Sequence, residues 1–354
     1  MAQRFDEKQL TLVGDPILLA EAVGRFSVSP QMLAYRPITK LGTQQVLWMN
    51  RSGTPGRSVW MPGTFASLRL SPDGNRLALD RDDGIWVIDL GRETPQKLTV
   101  NSAVAGNPQM SPDGKRIVFS STRSGGPQRM FIQSSLSIDT DPPQPLPSET
   151  PSDMREVPSD WWGNGNKEYI VFLRAQIGSP NTADIWVKPM FGDGKPFAFV
   201  QLKRGVFYGE ARLSPNGRWL AYVTNQSGSN QIVLQTFPQP SEKGQPVTVH
   251  SGLFPTWRRD GRELYYLALD GKIMAVSVKK VGAQLELGAP TPLFPSPLAT
   301  PTGPAAYQYD VSPNGERFVF IGNNSTNPTS DASAKLTAVV NWSAALTRSD
   351  SKSK

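Results

Sequence analysis

Short apolar stretches rich in β-branched and aromatic residues recur along the chain, and turn residues separate them. Clear cases are residues 84–90, 184–188 and 272–278, which read GIWVIDL, DIWVK and KIMAVSV. Runs of about four to eight such residues, bounded by Gly, Pro, Asn or Asp, are typical of β-strands. The pattern therefore predicts an all-β chain made of many short strands.

One phrase introduces several of these stretches: an apolar residue, Ser, Pro, Asp or Asn, Gly, and then an apolar run. It occurs at residues 70–79, 110–119, 213–222 and 311–320, with a looser copy at 257–266. Pro presets φ at the second position of a turn, Asp or Asn suits the third and Gly the fourth, so the phrase predicts a type I turn that closes a hairpin through a bulge. The repeated Asp or Asn is then a turn residue rather than a ligand.

Two weaker copies, at residues 28–35 and 160–172, bring the number of units to seven at a spacing of roughly 40 to 55 residues. In the unit that begins near Leu70, a third strand at 84–90 and a fourth at 96–100 follow the phrase. Four short strands per unit at this period predict a closed β-propeller of four-stranded antiparallel blades. We expect seven blades, with six or eight as alternatives because two copies are weak.

The expected domain organisation is a single β-propeller over residues 1–346. Its last unit lacks a fourth strand, and residues 16–20 resemble the fourth-strand region at 290–294, so we expect the N-terminal strand to close the last blade. Residues 136–154, rich in Pro, Ser, Asp and Thr, read as a surface insertion. The polar residues 347–354 read as a frayed tail.

Composition narrows the chemistry that the chain can carry. Among 354 residues there are 31 Gly and 32 Pro, which fits many tight turns, and no Cys, which excludes disulfides, thiolate catalysis and Cys-based zinc sites. The net charge of +7 is spread over single Lys and Arg residues mixed with Asp and Glu, so we expect no nucleic-acid partner. No apolar run is long enough to span a membrane and residues 1–6 lack the layout of a signal peptide, so we expect no membrane insertion, and the compartment stays open.

Residues 70–79 and 213–222 resemble the Pro-Asp repeat of TolB-type, WD-repeat-like propellers, and this resemblance covers nearly the whole chain. Residues 1–6, 12–16, 26–29 and 257–261 also resemble the C-terminal propeller region of bacterial receptor-like serine/threonine kinases. The kinase motifs themselves, a Gly-rich phosphate loop, His-Arg-Asp and Asp-Phe-Gly, do not occur, so kinase activity is not carried over. The resemblance implies a sensory or protein-binding part of a larger bacterial signalling protein, on the far side of a membrane.

The sequence contains no residue set of a familiar catalytic or metal site. Gly-x-Ser-x-Gly, which marks the hydrolase domain that similar propellers precede in the prolyl oligopeptidase family, does not occur. The single histidine, His250, stands at an expected strand end with no positional reason to meet a Ser and an acid. Residues 80–84 hold three Asp but lack the spacing of a calcium loop. We expect no catalytic residue, no metal site and no cofactor.

The innermost strand of a blade lines the channel of a propeller, so residues just before each Pro-Asp-Gly turn are candidates for binding. These candidates are Arg69, Gln109, Asp160, Glu210, Arg212, Trp257, Tyr309 and Asp310. They suit a protein, a peptide or a small ligand at the channel mouth. Two other interpretations stay open: a water-filled polar channel with internal ion pairs, and a hydrolase or lyase that uses carboxylates with Arg or Tyr.

Overall fold

A computed structural model describes residues 2–6, 8–9, 11–17, 23–29, 32–37, 44–99, 104–136, 142–178, 183–201, 206–281, 284–298, 307–323 and 337–340. The chain divides into two compact units, residues 43–323 and residues 1–42 with 324–354. This division differs from the predicted single propeller over residues 1–346, because strands from the two ends of the chain pair with each other in a sheet of their own.

The described residues form 30 β-strands, which are numbered in chain order. They are β1 (Ala2–Asp6), β2 (Thr11–Ile17), β3 (Val23–Val28), β4 (Met32–Pro37), β5 (Gln44–Asn50), β6 (Pro55–Gly63), β7 (Phe65–Leu70), β8 (Arg76–Arg81), β9 (Gly84–Asp89), β10 (Thr94–Lys97), β11 (Ala105–Met110), β12 (Arg116–Ser121), β13 (Arg129–Ser134), β14 (Gln144–Pro145), β15 (Met154–Asn164), β16 (Lys167–Gln176), β17 (Ala183–Pro189), β18 (Phe197–Val200), β19 (Tyr208–Leu213), β20 (Trp219–Thr224), β21 (Gln231–Thr236), β22 (Gln245–Pro246), β23 (Leu253–Trp257), β24 (Glu263–Leu267), β25 (Lys272–Val281), β26 (Gln284–Leu287), β27 (Thr291–Pro295), β28 (Tyr309–Val311), β29 (Arg317–Asn323) and β30 (Thr337–Val340).

The larger unit consists of six antiparallel sheets, each built like a propeller blade. Blade 1 is β7–β10, blade 2 is β11–β14, blade 3 is β15–β18, blade 4 is β19–β22, and blade 5 is β23–β27, in which β26 and β27 both pair with β25. Blade 6 has the order β28-β29-β5-β6 and so combines strands from both ends of this unit. The prediction of seven blades is wrong, and the alternative of six is what the structure has.

The smaller unit explains why one of the seven phrases does not make a blade of the larger unit. The copy at residues 28–35 lacks the Asp-Gly that follows Pro in the full phrase, and the amide of Ser29 bonds to the carbonyl of Met32 at 2.8 Å, where β4 begins. In this unit β1 pairs with β2, and β3, β4 and β30 form a sheet in that order. The weak copy at 160–172, by contrast, does form a blade, through β15 and β16.

The last blade is completed differently from the prediction. Residues 16–20 were expected to supply its closing strand, but β5 pairs with β29 along its whole length, from Gln44 opposite Asn323 to Asn50 opposite Arg317, and β6 follows as the outer strand. Ile17 instead pairs with Ala2 inside the smaller unit, and residues 18–20 lie outside the described residues. The pairing of β29 with β5 leaves β29 no free edge for another strand, since β28 occupies its other side.

The Pro-Asp-Gly turns have the geometry that the phrase predicts. In blade 1 the amide of Gly74 bonds to the carbonyl of Ser71 at 2.9 Å, and the amide of Ser71 bonds to the carbonyl of Arg76 at 2.8 Å, with φ of +74° at Gly74. The carboxylate of Asp73 accepts the hydroxyl of Ser71 and, at 3.0 Å, the amide of Asn75. The same side-chain pattern recurs in blades 2, 4 and 6. The side chains that recur in the phrase therefore build the turn.

The segment that was predicted to be a surface insertion, residues 136–154, contributes the outer strand of blade 2. Leu136 is exposed, residues 137–141 lie outside the described residues, and most of residues 142–153 are exposed or half-buried. Within it, β14 pairs with β13, and Ser148 and Thr150 donate hydroxyl bonds to the carboxylate of Glu156. The predicted tail, residues 347–354, lies outside the described residues.

Buried apolar side chains lie between successive blades rather than within one blade. Six clusters join the blades in pairs: Leu68 packs with Val319 between blades 1 and 6, Phe119 joins blade 1 to blade 2, and Phe318 joins blade 5 to blade 6. The remaining clusters join blade 2 to 3, 3 to 4 and 4 to 5. Because each sheet buries both faces against its neighbours, no blade has a core of its own.

A polar contact also ties blade 6 to blade 5. Arg51, in the turn between β5 and β6, pairs with the carboxylate of Glu263 at the start of β24, which also accepts Tyr265 Oη at 2.7 Å and Arg258 Nη1 at 3.0 Å. Burial alone would raise the pKa of Glu263, but these three donors outweigh it and lower the pKa to about 2.

In the described part of the chain, no helix has the length and apolar character needed to cross a membrane.

The close fit of neighbouring blades predicts an asymmetry between two glycines with positive φ. A Cβ on Gly217, at φ +66°, would lie 2.2 Å from the ring of Trp162 in the preceding blade, whereas one on Gly228, at φ +92°, would meet nothing within 4 Å. We expect Gly217→Ala to lower the free energy of unfolding in urea by about 2–4 kcal/mol, against about 1–2 kcal/mol for Gly228→Ala. Equal losses would contradict the packing of Trp162 against this turn.

Candidate functional site

Each blade places one residue at the same position of its inner strand, two residues before the position that Ser occupies in the turn phrase. We call this set the central residues: Arg69, Gln109, Asp160, Arg212, Thr256 and Asp310. The inner strands that carry them contact one another from blade to blade, from β7 to β11, β15, β19, β23 and β28, and β28 in turn contacts β7. Going round the blades, the charges run in the order Arg, neutral, Asp, Arg, neutral, Asp.

The charged central residues neutralise one another. Arg69 Nη2 lies 2.8 Å from Asp160 Oδ1, and Arg69 Nη1 lies 3.5 Å from Asp310 Oδ2. Arg212 Nη1 lies 3.4 Å from the same Asp160 oxygen and donates to Gln109 Oε1 at 3.0 Å. The contacts thus join five blades through five side chains, two of them positive and two negative.

The two central carboxylates also hold the backbone of the following blade. Asp160 Oδ2 accepts the amide of Leu213 at 2.8 Å, and Asp310 Oδ2 accepts the amide of Leu70 at 3.0 Å. Since each Asp receives both a guanidinium and a main-chain amide, its position is fixed from two directions. The central residues are therefore a rigid set rather than mobile side chains in a wide channel.

Arg212 is almost completely enclosed, with 2% of its surface exposed. Its guanidinium carbon lies 3.7 Å from the ring centroid of Tyr307, which is itself buried. Among the described residues, its Nε and Nη2 have no hydrogen-bond partner. Buried donors of an ionised group are costly when unpaired, so the contacts of Arg212 with Asp160, Gln109 and Tyr307 have to compensate for the burial of its charge.

A pocket of about 240 Å³ opens at the end of the inner strands where the first turn of each blade lies. We call it the turn-end pocket. Five of the six central residues, all except Gln109, form its floor, and apolar turn residues and tryptophans form its sides. Its lining includes Arg69, Asp160, Arg212, Asp310, Trp161, Trp162, Trp257, Arg259, Pro72, Pro112, Pro215 and Pro313.

The two half-buried tryptophans at the rim are held in place by their indole nitrogens. Trp162 of blade 3 donates to the carbonyl of Pro215 at 3.0 Å, and Trp257 of blade 5 donates to the carbonyl of Arg212 at 3.3 Å. Both acceptors belong to blade 4, which lies between them. The rings therefore present fixed apolar surface to the pocket while their polar atoms are satisfied by the neighbouring blade.

The structure brings together five of the eight predicted binding residues as lining of one pocket: Arg69, Asp160, Arg212, Trp257 and Asp310. Gln109 is buried outside the pocket lining, and its Oε1 accepts a hydrogen bond from Arg212.

Glu210 and Tyr309 are the other two predicted residues, and the described contacts place both against Phe254 rather than in the pocket lining. Glu210 Oε2 accepts the amide of Phe254 at 2.7 Å, and Tyr309 Oη donates to its carbonyl at 2.8 Å. Phe254 has φ of +56°, a conformation that a bulky residue rarely adopts. These two residues stabilise the inner strand of blade 5.

Four residues that matter to the site were missed in the sequence: Thr256, Trp162, Arg259 and Tyr307. Thr256 and Arg259 could have been found by aligning residues 257–261 with the full phrase, since Trp257 then matches Leu213 and Arg259 matches Pro215. In blade 3, Trp162 occupies the position that Ser has in the turn phrase of other blades, but the rest of this turn does not follow the phrase. The sequence holds no signal for the stacking of Tyr307 on Arg212, because that contact joins distant parts of the chain.

Glu210 is an unusual carboxyl group, since it is 2% exposed and its backbone φ is +49°. Burial raises its pKa to about 8, and the single bond from the amide of Phe254 lowers it only in part. Asp80 is a second case, with a pKa raised by burial to about 6 in spite of bonds from the amide of Asn107 and the hydroxyl of Ser67. Both carboxyls hold an inner strand of the next blade.

The residues that could suggest metal or acid–base chemistry have structural partners. Asp83 accepts the indole of Trp86 at 2.8 Å and pairs with Lys97, and His250 is exposed, with its carbonyl bonded to Ser229. In the described ranges, no group of three or more His, Asp or Glu side chains is placed to hold a metal ion.

No family model matches the chain. Among solved structures, a protein assigned as TolB from Agrobacterium tumefaciens has a TM-score of 0.58 at 17% identity, over 79% of this chain and 98% of that chain. TolB from Acinetobacter baumannii has a TM-score of 0.52 at 16% identity, over 81% of this chain and 65% of that chain. An oligogalacturonate lyase from Vibrio parahaemolyticus has a TM-score of 0.51 at 12% identity, over 82% and 85%.

At these identities the likeness concerns the fold alone. It confirms a TolB-like β-propeller of four-stranded antiparallel blades. The resemblance to the propeller region of receptor-like kinases stays a prediction.

Removal of Asp160 should be costly, because Arg212 would keep its buried charge and lose its acidic partner. We expect Asp160→Ala to lower the free energy of unfolding by about 3–5 kcal/mol, against about 1 kcal/mol for Asp73→Ala in an exposed turn. Adding Arg212→Met to Asp160→Ala should recover part of the loss, since the unpaired charge is then gone. Urea unfolding of the native chain, Asp160→Ala, Arg212→Met, the double variant and Asp73→Ala gives the free energies, and strictly additive losses in the two single variants and the double variant would contradict the coupling.

Glu210 should make stability depend on pH. The pKa of Glu210 is near 4.5 in the unfolded chain and about 8 in the folded chain. Its contribution to the free energy of unfolding is therefore fully present below pH 4.5 and is lost as the pH rises through about 8. We therefore expect Glu210→Gln, which keeps an acceptor for Phe254, to gain about 2 kcal/mol or more over the native chain between about pH 5 and pH 9. The control is Glu242→Gln at an exposed position; parallel pH profiles of the native chain and Glu210→Gln would rule the effect out.

Proposed function

We propose that residues 43–323 form a closed six-bladed propeller that binds a protein partner without catalysing a reaction, by receiving a short segment of that partner in the turn-end pocket. The observation that carries this proposal is the combination of a rigid, charge-balanced floor with fixed tryptophan and proline surface around it. Preorganised apolar anchors beside a few fixed polar groups are what a recognition site needs.

The size of the pocket favours a segment of a larger partner over a free small molecule. Sites for drug-sized ligands usually have volumes of about 300–1,000 Å³. The turn-end pocket, at about 240 Å³, lies below that range. It has room for one or two side chains, while the surrounding turns are available to the rest of the partner.

A role in a larger bacterial signalling protein and an extracytoplasmic location are parts of the same proposal. They rest on the likeness of residues 1–6, 12–16, 26–29 and 257–261 to the propeller region of receptor-like kinases. A sensor of that kind needs a recognition surface and no catalytic residues of its own, which fits the proposed site.

The second candidate is a hydrolase or lyase in the channel, and Glu210 is the observation that favours it. A buried carboxyl with a raised pKa is a common acid–base element. Against it, Glu210 does not line the turn-end pocket, and the amide of Phe254 already occupies one of its oxygens. The variant Glu210→Gln separates the two functions, because binding in the pocket should survive it and acid–base chemistry should not.

Selection from a random peptide display library on the immobilised chain tests the binding proposal. We expect peptides to be enriched that bind the native chain, and Trp257→Ala to weaken them about tenfold or more, because a central aromatic anchor is lost. Trp257→Phe, which keeps a ring but no indole N–H, should weaken them less. Fluorescence polarisation of labelled peptides measures the affinities.

The matched control is Trp86→Ala, since Trp86 is half-buried on β9 and does not line the pocket. It should change peptide affinity by no more than about twofold. Failure to enrich any peptide, or equal losses in Trp257→Ala and Trp86→Ala, would count against recognition in this pocket.

A further inference from the structure

Blade 5 departs from the phrase of the other blades at its first turn, and the departure puts a cation at the rim of the turn-end pocket. Four blades have Pro at the second position of this turn, namely Pro72, Pro112, Pro215 and Pro313, and all four line the pocket. Blade 5 has Arg259 there, and this residue lines the pocket as well. An apolar ring is thus replaced by a guanidinium at one point of an otherwise apolar rim.

Arg259 is exposed, and within the described part of the chain it forms no hydrogen bond or ion pair. The acidic groups of the same hairpin are used by other arginines: Arg258 pairs with Asp260 at 3.2 Å and with Glu263 at 3.0 Å, and Arg262 Nε lies 3.9 Å from Asp260. The turn therefore supplies no counter-ion to Arg259.

The floor of the pocket supplies none either. Three arginines and two aspartates line the pocket, and Arg69 and Arg212 already pair with Asp160 and Asp310. One positive charge is left over, and it belongs to Arg259. An anionic group entering the pocket meets this charge without displacing an existing ion pair.

Arg212 is a less suitable pairing cation than Arg259. It lines the pocket but is 2% exposed, and its guanidinium is held against Asp160, Gln109 and the ring of Tyr307. Arg259, in contrast, is exposed at the rim, so an anionic group reaches it without a change in the buried contacts.

We infer that the turn-end pocket selects a carboxylate in the inserted segment, with Arg259 as its pairing cation and the rings of Trp162 and Trp257 beside an apolar neighbour of that carboxylate. The inference rests on the proposed function, since it names the chemistry of the segment that the pocket receives. A guanidinium fork matches the two oxygens of a carboxylate, so the pairing adds orientation to charge. The carboxylate comes from an acidic side chain or from the C-terminus of a chain.

Pools of short random peptides test this inference and separate the two sources of the carboxylate. There are four pools, and all of them share one fixed Leu. In three pools the residue next to this Leu is Asp, Asn or Lys, and the C-terminus is amidated. In the fourth pool that residue is Asn and the C-terminus is free. We expect the native chain to bind the amidated Asp pool, or the Asn pool with the free C-terminus, about fivefold more tightly than the amidated Asn pool at low salt. The preference should shrink as the ionic strength rises.

Charge reversal at Arg259 provides the matched comparison. Arg259→Glu should remove the preference for the carboxylate pool and bind the Lys pool more tightly than the native chain does. Arg262→Glu makes the same change of net charge three residues further on, outside the pocket lining, and should keep the native preference. Fluorescence polarisation gives the affinities, and thermal unfolding checks that both variants are folded.

Equal affinity of the native chain for the carboxylate and amidated Asn pools overturns the carboxylate inference, and so does an equal effect of Arg259→Glu and Arg262→Glu. In either case the proposed function stands as long as Trp257→Ala weakens every pool and Trp86→Ala does not. If no pool binds, or if those two tryptophan variants behave alike, the proposed function itself fails and the inference fails with it.

Discussion

Two arginines and two aspartates are brought within ion-pair distance where the inner strands of the six blades meet, and the larger unit depends on their mutual neutralisation. A buried charge costs several kcal/mol unless it is paired and hydrogen-bonded. Arg69 and Arg212 both reach Asp160, and Arg69 also reaches Asp310. Each aspartate in turn accepts an amide of the next blade. The ion pairs therefore hold together blades that are not adjacent. The apolar clusters, in contrast, join only adjacent blades.

The backbone adapts to this requirement through bulges. Four of the six inner strands have an irregularity in register directly before the central residue, and in a fifth, β7, it lies two residues earlier. In three of them the bulge contains a residue with positive φ at the same position, Asn107, Glu210 and Phe254. Bulges re-aim the side chains that follow them, and positive φ costs about 1–2 kcal/mol for a residue with a Cβ. Buried carboxyls of Asp80 and Glu210 offset part of this cost by accepting the amides of Asn107 and Phe254.

Much of the fold was predictable because the turn phrase is local chemistry. Ser71, Asp73 and Gly74 bond within six residues of one another, so their pattern survives in the sequence wherever the turn does. The number of blades was not predictable in the same way, since the copy at 28–35 looks like a degraded turn and only strand pairing shows that it belongs to the smaller unit. Five pocket residues were predictable from their place before the turn, whereas the stacking of Tyr307 on Arg212 and the approach of Trp162 to blade 4 depend on contacts between blades.

The contrast between Arg212 and Arg259 shows why the proposed recognition fits the turns around the pocket better than the buried central residues. Arg212 is enclosed, and its position is set by Gln109, Asp160 and the ring of Tyr307, so a change there disturbs the joint between blades. Arg259 is exposed at a turn position that elsewhere holds Pro, and its charge is hydrated rather than buried. An exposed cation costs the fold little and keeps its capacity to pair with a partner. The interior therefore supplies the rigidity of the site, and the turns can vary in sequence to supply its specificity.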